Sequence, residues 1–222
     1  MADWKIETNG PVTVLTMTTG ENKISRTTLD AWNHALDTLD LKTGPHALVI
    51  TGEDKYWSTG LDLDAVAKMS AQDQDRLLTD LDLLLVRLLV SSYVTVAALN
   101  GHTYAAGALL ALACDYRVMR IDRGYFCLPS VDIGIPFSPG MTSLITTKIP
   151  QPTAHDLVVS CRAIDAREAL ATGVIHRAVD AEDVMPLATE LAHAYANKDP
   201  LTLETVKRRM YAASVEAFTR SP

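Results

Sequence analysis

Two segments of the chain share one physical form: an apolar strand, a turn of small residues and then a helix. The first is ALVITG followed by WSTGLDL, and the second is VTVAALNGHTYAAGALLAL. Small residues before a helix let another backbone or a ligand approach closely. The turn also leaves backbone N–H groups free at the positive end of the helix. Two such turns that face each other would form an oxyanion hole, which stabilises negative charge developing on a carbonyl oxygen.

Strands and helices alternate along the chain, which predicts the α/β class with helices packed on the faces of a sheet. Hydrophobic periodicity and turn residues predict a hairpin over residues 4–18, a helix capped by Ser25, strands at 46–51, 94–99, 116–119 and 125–128, and helices over 72–90, 105–113, 181–197 and 201–218. Residues 1–198 are predicted to form one core domain. Residues 199–222 are predicted to be a C-terminal helical appendage that docks on the core or on a neighbouring subunit.

Charge and composition exclude several classes of function for the 222-residue chain. Its net charge of −7 argues against nucleic acid as the main partner. The N-terminal MADWKIET has early charges and no apolar run, and Arg87 interrupts the longest apolar stretch. Neither a secretory signal nor a membrane span is predicted, so we expect the protein in the cytoplasm. Three widely spaced cysteines and six histidines show no metal-ligand spacing, so no metal site is expected.

Four motifs, spread over roughly residues 10–180, resemble those of the crotonase (enoyl-CoA hydratase/isomerase) superfamily, in the same order. WSTGLDL at 57–63 resembles F-S-x-G-x-D-L, and SVDIGIP at 130–136 resembles E-V-x-x-G-L-x-P. AALNGH at 97–102, with AAG at 105–107 and CDYR at 114–117, resembles A-x-x-N-G-x-x-x-G-G-G followed by C-D-x-R. DAREALATGVI at 165–175 resembles A-x-E-A-L-x-x-G-L-V. The pattern is most similar to the Δ3,Δ2-enoyl-CoA isomerase branch.

The resemblance implies a crotonase-like spiral of ββα units with C-terminal helices, assembled as a homotrimer or hexamer. It implies an acyl-CoA thioester as substrate or ligand, with no separate cofactor. The oxyanion N–H groups fall on Leu61 and Ala106, and alanine at 105 and 106 is expected to serve if φ stays negative. Asp62 is also a candidate helix cap. The residues implied to bind the substrate are Ile24, Ser58, Gly60, Leu61, Asp62, Leu63, Tyr104 and Ala106.

The chain departs from the family pattern at both acid/base positions. Leu109 occupies the position of the first glutamate of the hydratases, and Ser130 occupies that of the second. Proton transfer on an enoyl chain needs a base, and a lone serine hydroxyl does not serve unless another group activates it. Asp132 is the nearest replacement, although strand alternation points it away from Ser130. His102 and Tyr104 lie in the turn before the second oxyanion residue, and either could reach the pocket.

These observations leave two hypotheses from different classes. The first is an enzyme of the enoyl-CoA hydratase/isomerase type that acts on a fatty enoyl-CoA, with an unusual acid/base residue or a different thioester reaction. The second is a non-catalytic acyl-CoA-binding protein that keeps the pocket and the oxyanion hole.

Overall fold

The computed structural model describes residues 4–219, whose strands form two sheets. The strands are, in chain order, β1 (Lys5–Asn9), β2 (Val12–Met17), β3 (Ala47–Gly52), β4 (Tyr56–Ser58), β5 (Val94–Leu99), β6 (His102–Tyr104), β7 (Tyr116–Arg120), β8 (Phe126–Cys127) and β9 (Arg177–Val179). The larger sheet has the order β1-β2-β3-β5-β7-β9, and the smaller has the order β4-β6-β8. β1 and β2 pair antiparallel as the predicted hairpin, whereas every other pair is parallel.

The helices are α1 (Arg26–Asp40), α2 (Leu63–Val66), α3 (Ala71–Leu89), α4 (Ala106–Ala113), α5 (Pro139–Lys148), α6 (Gln151–Ser160), α7 (Ala166–Ala171), α8 (Val184–Tyr195), α9 (Pro200–Met210) and α10 (Ala212–Thr219). The Ser25 hydroxyl caps α1 as predicted, by accepting from the Thr28 N–H. The helix expected near 181–197 is confirmed as α8, which a 3-10 turn precedes. The single helix expected near 201–218 was wrong, because the structure has two helices separated at Tyr211.

The chain repeats one plan three times, which confirms the predicted spiral of ββα units. A strand of the larger sheet is followed by a strand of the smaller sheet and then by one or two helices: β3-β4-α2-α3, β5-β6-α4 and β7-β8-α5. β3 and β5 are buried along their whole length, as near-continuous apolar strands of a parallel sheet are. β9 was not predicted, because three residues carry little periodicity and this strand forms by pairing with β7.

The core lies on both faces of the larger sheet. On one face the leucines of α1, α3 and α4 form the main apolar cluster. On the other face Val184, Ala188 and Ala192 of α8 pack on β3, β5 and β7. Trp57 in the middle of β4 is fully buried, and its indole N–H donates to the Ile50 carbonyl at 3.3 Å. This bond ties the smaller sheet to the larger one at the start of the WSTGLDL segment.

The two C-terminal helices pack on the core of the same chain. Lys207 of α9 is buried, and its ammonium donates to the Asp115 carboxylate at 2.7 Å and to the Tyr93 carbonyl at 2.9 Å. Phe218 of α10 lies directly against Gly140 of α5, where a side chain would collide with the ring. Residues 199–219 therefore dock on the core, which is one of the two arrangements expected for the predicted appendage.

Three observations concern the cysteines, membrane-spanning helices and metal sites. Cys114, Cys127 and Cys161 are free and buried. Within residues 4–219, no helix is both long and apolar enough to cross a membrane. Over the same span, no group of three or more His, Cys, Asp or Glu side chains is placed to hold a metal ion.

Replacing Lys207 with methionine is expected to lower the free energy of unfolding by about 3 kcal/mol, because the change leaves the Asp115 carboxylate without its buried partner. Chemical denaturation measures this loss. The control is Arg208→Met, which removes only an exposed ion pair to Glu204 and should cost less than about 1 kcal/mol. Equal losses in the two variants would contradict the view that Lys207 anchors α9.

Candidate active site

The principal cavity has a volume of about 530 Å³ and lies between the two glycine-containing turns, helix α3 and the loop before α5. Apolar side chains form most of its wall. The residues around it are Thr59, Leu61, Leu63, Asp75, Leu78, Thr79, Leu81, Asp82, Tyr104, Ala105, Ala106, Leu109, Pro129, Ser130, Ile133, Ile135, Pro136, Phe137, Ser138, Pro139 and Met141. A cavity of this size and character suits a small-molecule ligand with an apolar portion.

The first turn is held by backbone bonds on either side of Leu61. The Ile24 N–H donates to the Gly60 carbonyl at 2.7 Å, and the Asp62 N–H donates to the Ile24 carbonyl at 2.9 Å. The Ser58 hydroxyl donates to the Asn22 carbonyl at 2.8 Å and accepts from the Gly60 N–H. The N–H of Leu61 itself makes no hydrogen bond to any described residue. It is therefore available to a ligand in the cavity.

The second turn places Ala106 at the start of α4. The Ala105 N–H donates to the Cys127 carbonyl at 3.0 Å, whereas the Ala106 N–H has no acceptor among residues 4–219. Ala105 adopts φ +50° and ψ −123°, a conformation that costs an L-residue about 1–3 kcal/mol. The condition stated for alanine, a negative φ, is therefore not met at 105. This sharp turn leaves the Ala106 N–H outside the backbone hydrogen bonds of the described residues. The neighbouring elements β6, β8 and α4 hold Ala105 in the turn.

The two turns touch through glycines. A Cβ atom at Gly60, which has φ +89°, would lie 2.9 Å from the Ala106 nitrogen. A Cβ atom at Gly107 would lie 2.7 Å from the Ser58 hydroxyl oxygen. Both distances are too short for a real side chain, so only glycine permits this approach at either position. The contacts bring the free N–H groups of Leu61 and Ala106 to one side of the same cavity, as an oxyanion hole requires.

The residues predicted to bind the substrate fall into two groups. Leu61, Leu63, Tyr104 and Ala106 lie around the cavity, together with Leu109 and Ser130 at the two glutamate positions. The remaining four are not among the residues around the cavity: Ile24, Ser58, Gly60 and Asp62. Their contacts support the turn. The Asp62 carboxylate accepts from the Ala65 N–H at 3.2 Å, and this bond caps α2.

Neither glutamate position offers an acid/base group. Leu109 is buried in α4 and presents only hydrocarbon to the cavity. Ser130 is buried as well, and its hydroxyl donates to the Ile135 carbonyl, which closes the loop between β8 and α5. The proton of the Ser130 hydroxyl is therefore already used in a hydrogen bond to the backbone. Asp132 is exposed in this loop, and the segment is a turn rather than the extended strand on which the expectation for Asp132 rested.

The predicted alternatives His102 and Tyr104 pair with each other. The Tyr104 hydroxyl lies 2.7 Å from the His102 Nδ1, and of the two side chains only Tyr104 borders the cavity. Burial lowers the pKa of His102 below its usual value, and the nearby charges of Lys55 and Arg123 lower it further, so the imidazole is neutral at pH 7. Burial raises the pKa of Tyr104, so this phenol stays protonated.

One buried acidic residue of the cavity was not predicted from the sequence. Asp82 of α3 is buried, with 6% of its surface exposed, and it lies at the cavity wall. The Ser138 hydroxyl donates to Asp82 Oδ1 at 3.3 Å. The signal was present in the helical pattern, because Asp82 lies between Leu81 and Leu84 on the side of α3 that faces the core. A carboxylate is seldom buried in this way unless it is paired, and the Ser138 hydroxyl is one partner of Asp82.

The similarity to known proteins covers nearly the whole chain. The family model described as "Enoyl-CoA hydratase/isomerase" matches residues 7–220. A putative enoyl-CoA hydratase of Thermus thermophilus is 34% identical over 184 residues, which are 80% of this chain and 71% of the relative. A carnitinyl-CoA dehydratase of Salmonella paratyphi B is 29% identical over 221 residues, which are 94% of this chain and 79% of the relative.

The fold agrees as well. The crystal structure of a probable enoyl-CoA hydratase, EchA3 from Mycobacterium tuberculosis, superposes with a TM-score of 0.91 at 25% identity, covering 98% of this chain and 92% of the other. The family match, the relatives and the shared fold lead to one conclusion: the chain belongs to the enoyl-CoA hydratase/isomerase family of the crotonase superfamily.

Proposed function

We propose that the protein binds a fatty enoyl-CoA thioester and isomerises it, with the thioester oxygen held between the N–H groups of Leu61 and Ala106. The observation that carries this proposal is the pair of unpartnered N–H groups beside one largely apolar cavity. Removing a proton next to a thioester carbonyl places negative charge on the carbonyl oxygen. Two preorganised donors stabilise that charge, and one such donor contributes roughly 10²–10³ in rate in other enzymes.

The cavity wall supports a fatty acyl chain as the bound group. Leu63, Leu78, Leu109 and Met141 surround the space next to the two N–H groups with hydrocarbon. Burial of each methylene of an acyl chain against such a wall contributes about 0.8 kcal/mol of binding free energy. The CoA thioester is then a substrate rather than a resident cofactor.

The same cavity argues against ordinary hydration with two glutamates. That reaction needs one carboxylate to activate water and an acid to protonate the adjacent carbon. Leucine at 109 and an engaged serine at 130 supply neither. The reaction within the family is therefore proposed to be proton transfer within the acyl chain, which one acid/base group can perform.

A second candidate is a non-catalytic acyl-CoA-binding protein, and the specific observation in its favour is the loss of both glutamates. Such a protein would use the two N–H groups and the apolar wall for binding alone. In either case we propose, from the family resemblance, a homotrimer or hexamer in the cytoplasm.

Incubation with 3-enoyl-CoA and, separately, with 2-enoyl-CoA distinguishes the candidates. The proposed isomerase converts the 3-enoyl ester into the conjugated 2-enoyl ester without adding water, as followed by ultraviolet absorbance and mass spectrometry. Saturating acyl-CoA should also raise the melting temperature, because a ligand at 100 times its Kd stabilises the folded state by about 2.7 kcal/mol. Stabilisation without turnover would favour the binding protein. Absence of both effects would overturn the proposed function.

Gly60→Ala is expected to weaken acyl-CoA binding at least tenfold, a loss of about 1.4 kcal/mol. The new methyl group would collide with the Ala106 nitrogen and push the two turns apart. The control is Gly20→Ala, because Gly20 also has a positive φ (+70°) but has no atom within 4 Å of the added carbon. Both variants should lose stability through backbone strain, but only Gly60→Ala should lose affinity in calorimetric titration. Equal affinities would contradict the proposed oxyanion hole.

Ala105→Gly is expected to raise the free energy of unfolding by about 1 kcal/mol, since glycine adopts the positive φ of this turn without strain. The matched control is Ala108→Gly, three residues later in the interior of α4, which should lower stability by about 1 kcal/mol or more. Chemical denaturation of both variants gives the comparison. A loss of stability in Ala105→Gly would show that the turn is not strained.

A further inference from the structure

The cavity contains one buried carboxylate among its described residues, and that group belongs to Asp82 of α3. Asp75 also lies at the cavity but is exposed to solvent, at the outer end of the same helix. The hydroxyl of Ser130 is engaged with the Ile135 carbonyl, and that of Tyr104 with His102. Asp82 is therefore the buried cavity group whose chemistry allows it to take up and return a proton.

The surroundings of Asp82 hold its carboxylate in a defined orientation. The Ser138 hydroxyl donates to Asp82 Oδ1 at 3.3 Å, and the same hydroxyl accepts from the Met141 N–H at 3.1 Å. Ser138 thus both caps the ten-residue helix α5 and contacts the Asp82 carboxylate. The positive end of α5 lies next to the negative group, an arrangement that favours an anion. A side chain whose orientation is fixed by its neighbours is a requirement for efficient proton transfer.

We propose that Asp82 is the acid/base residue of this site, in place of the two glutamates of the family. This inference rests on the function proposed above and adds the residue that moves the proton. The helix α3 that carries Asp82 packs on α4, which presents the Ala106 N–H to the same cavity. The carboxylate and the oxyanion hole therefore border one space from different elements of the fold.

The proposed reaction transfers one proton and needs no oxidant or reductant. The Asp82 carboxylate takes a proton from C2 of a 3-enoyl thioester, and the electrons of that C–H bond form a dienolate whose negative charge lies on the thioester oxygen. The N–H groups of Leu61 and Ala106 stabilise this oxygen. The protonated Asp82 then gives the proton to C4, the double bond forms between C2 and C3, and the carboxylate is regenerated. One carboxylate is sufficient because the same proton is removed and returned.

The test compares the wild-type protein with Asp82→Asn, a variant of the same shape whose amide oxygen can still accept from Ser138. Three quantities are measured: conversion of 3-enoyl-CoA, deuterium incorporation at C2 and C4 in D2O, and the Kd of a saturated acyl-CoA. Conversion and exchange are expected to fall roughly 10²–10⁴-fold, the usual cost of losing a positioned acid/base group. The Kd and the melting temperature should remain close to wild type. Asp82→Glu keeps a carboxylate and should recover part of the rate.

The matched control is Asp80→Asn on the same helix, because Asp80 pairs with Arg26 and lies outside the cavity. It should retain full conversion. The assignment is overturned if Asp82→Asn converts the substrate at the wild-type rate, or if its rate loss is matched by an equal loss of affinity and stability. A wild-type protein that binds acyl-CoA but neither converts nor exchanges it would also overturn the assignment. Absence of binding in all variants would instead indicate that the proposed function is wrong.

Discussion

The site depends on a close approach of two backbones that side chains would prevent. Gly60 lies against the Ala106 nitrogen, and Gly107 lies against Ser58, so each turn contributes a glycine to the contact with the other. The contact is maintained by the ββα repeat, since parallel strands β4 and β6 lie side by side in the smaller sheet and carry the two turns. Ala105 accepts an unfavourable conformation within this arrangement. The fold thus bears a local cost at the turn that precedes Ala106, whose N–H has no acceptor among the described residues.

In the proposed function, the cavity keeps the electrostatic part of thioester chemistry and changes the proton-transfer part. The N–H groups require only backbone geometry, which different side chains can supply. Proton transfer requires a side chain with an acid/base group. Leu109 instead contributes hydrocarbon to the cavity wall, and the Ser130 hydroxyl makes a hydrogen bond that closes a loop. The proposal for Asp82 shifts that role to α3. Such a shift is compatible with the fold because Leu109, Ser130 and Asp82 all border the same cavity.

Much of the architecture could be predicted because the local patterns agree with the tertiary structure. The apolar runs of β3 and β5, the hairpin at Gly10 and the cap at Ser25 each define an element from a few neighbouring residues. Strand β9 and the interruption at Tyr211 could not be predicted in this way. Both depend on partners distant in sequence: β9 pairs with β7, and α10 turns to pack on α5.

For the site, the sequence by itself predicted which backbone turns could form an oxyanion hole, and its resemblance to the crotonase superfamily implied that Leu109 and Ser130 occupy the positions of the usual acids. These predictions need only residue identity and order. Only the tertiary structure decided that Ile24 and Ser58 support a turn instead of lining the cavity, that Ala105 has a positive φ, and that Asp82 lies at the cavity wall. The physical reason is that the orientation and burial of a side chain depend on elements packed against it, which a linear pattern does not specify.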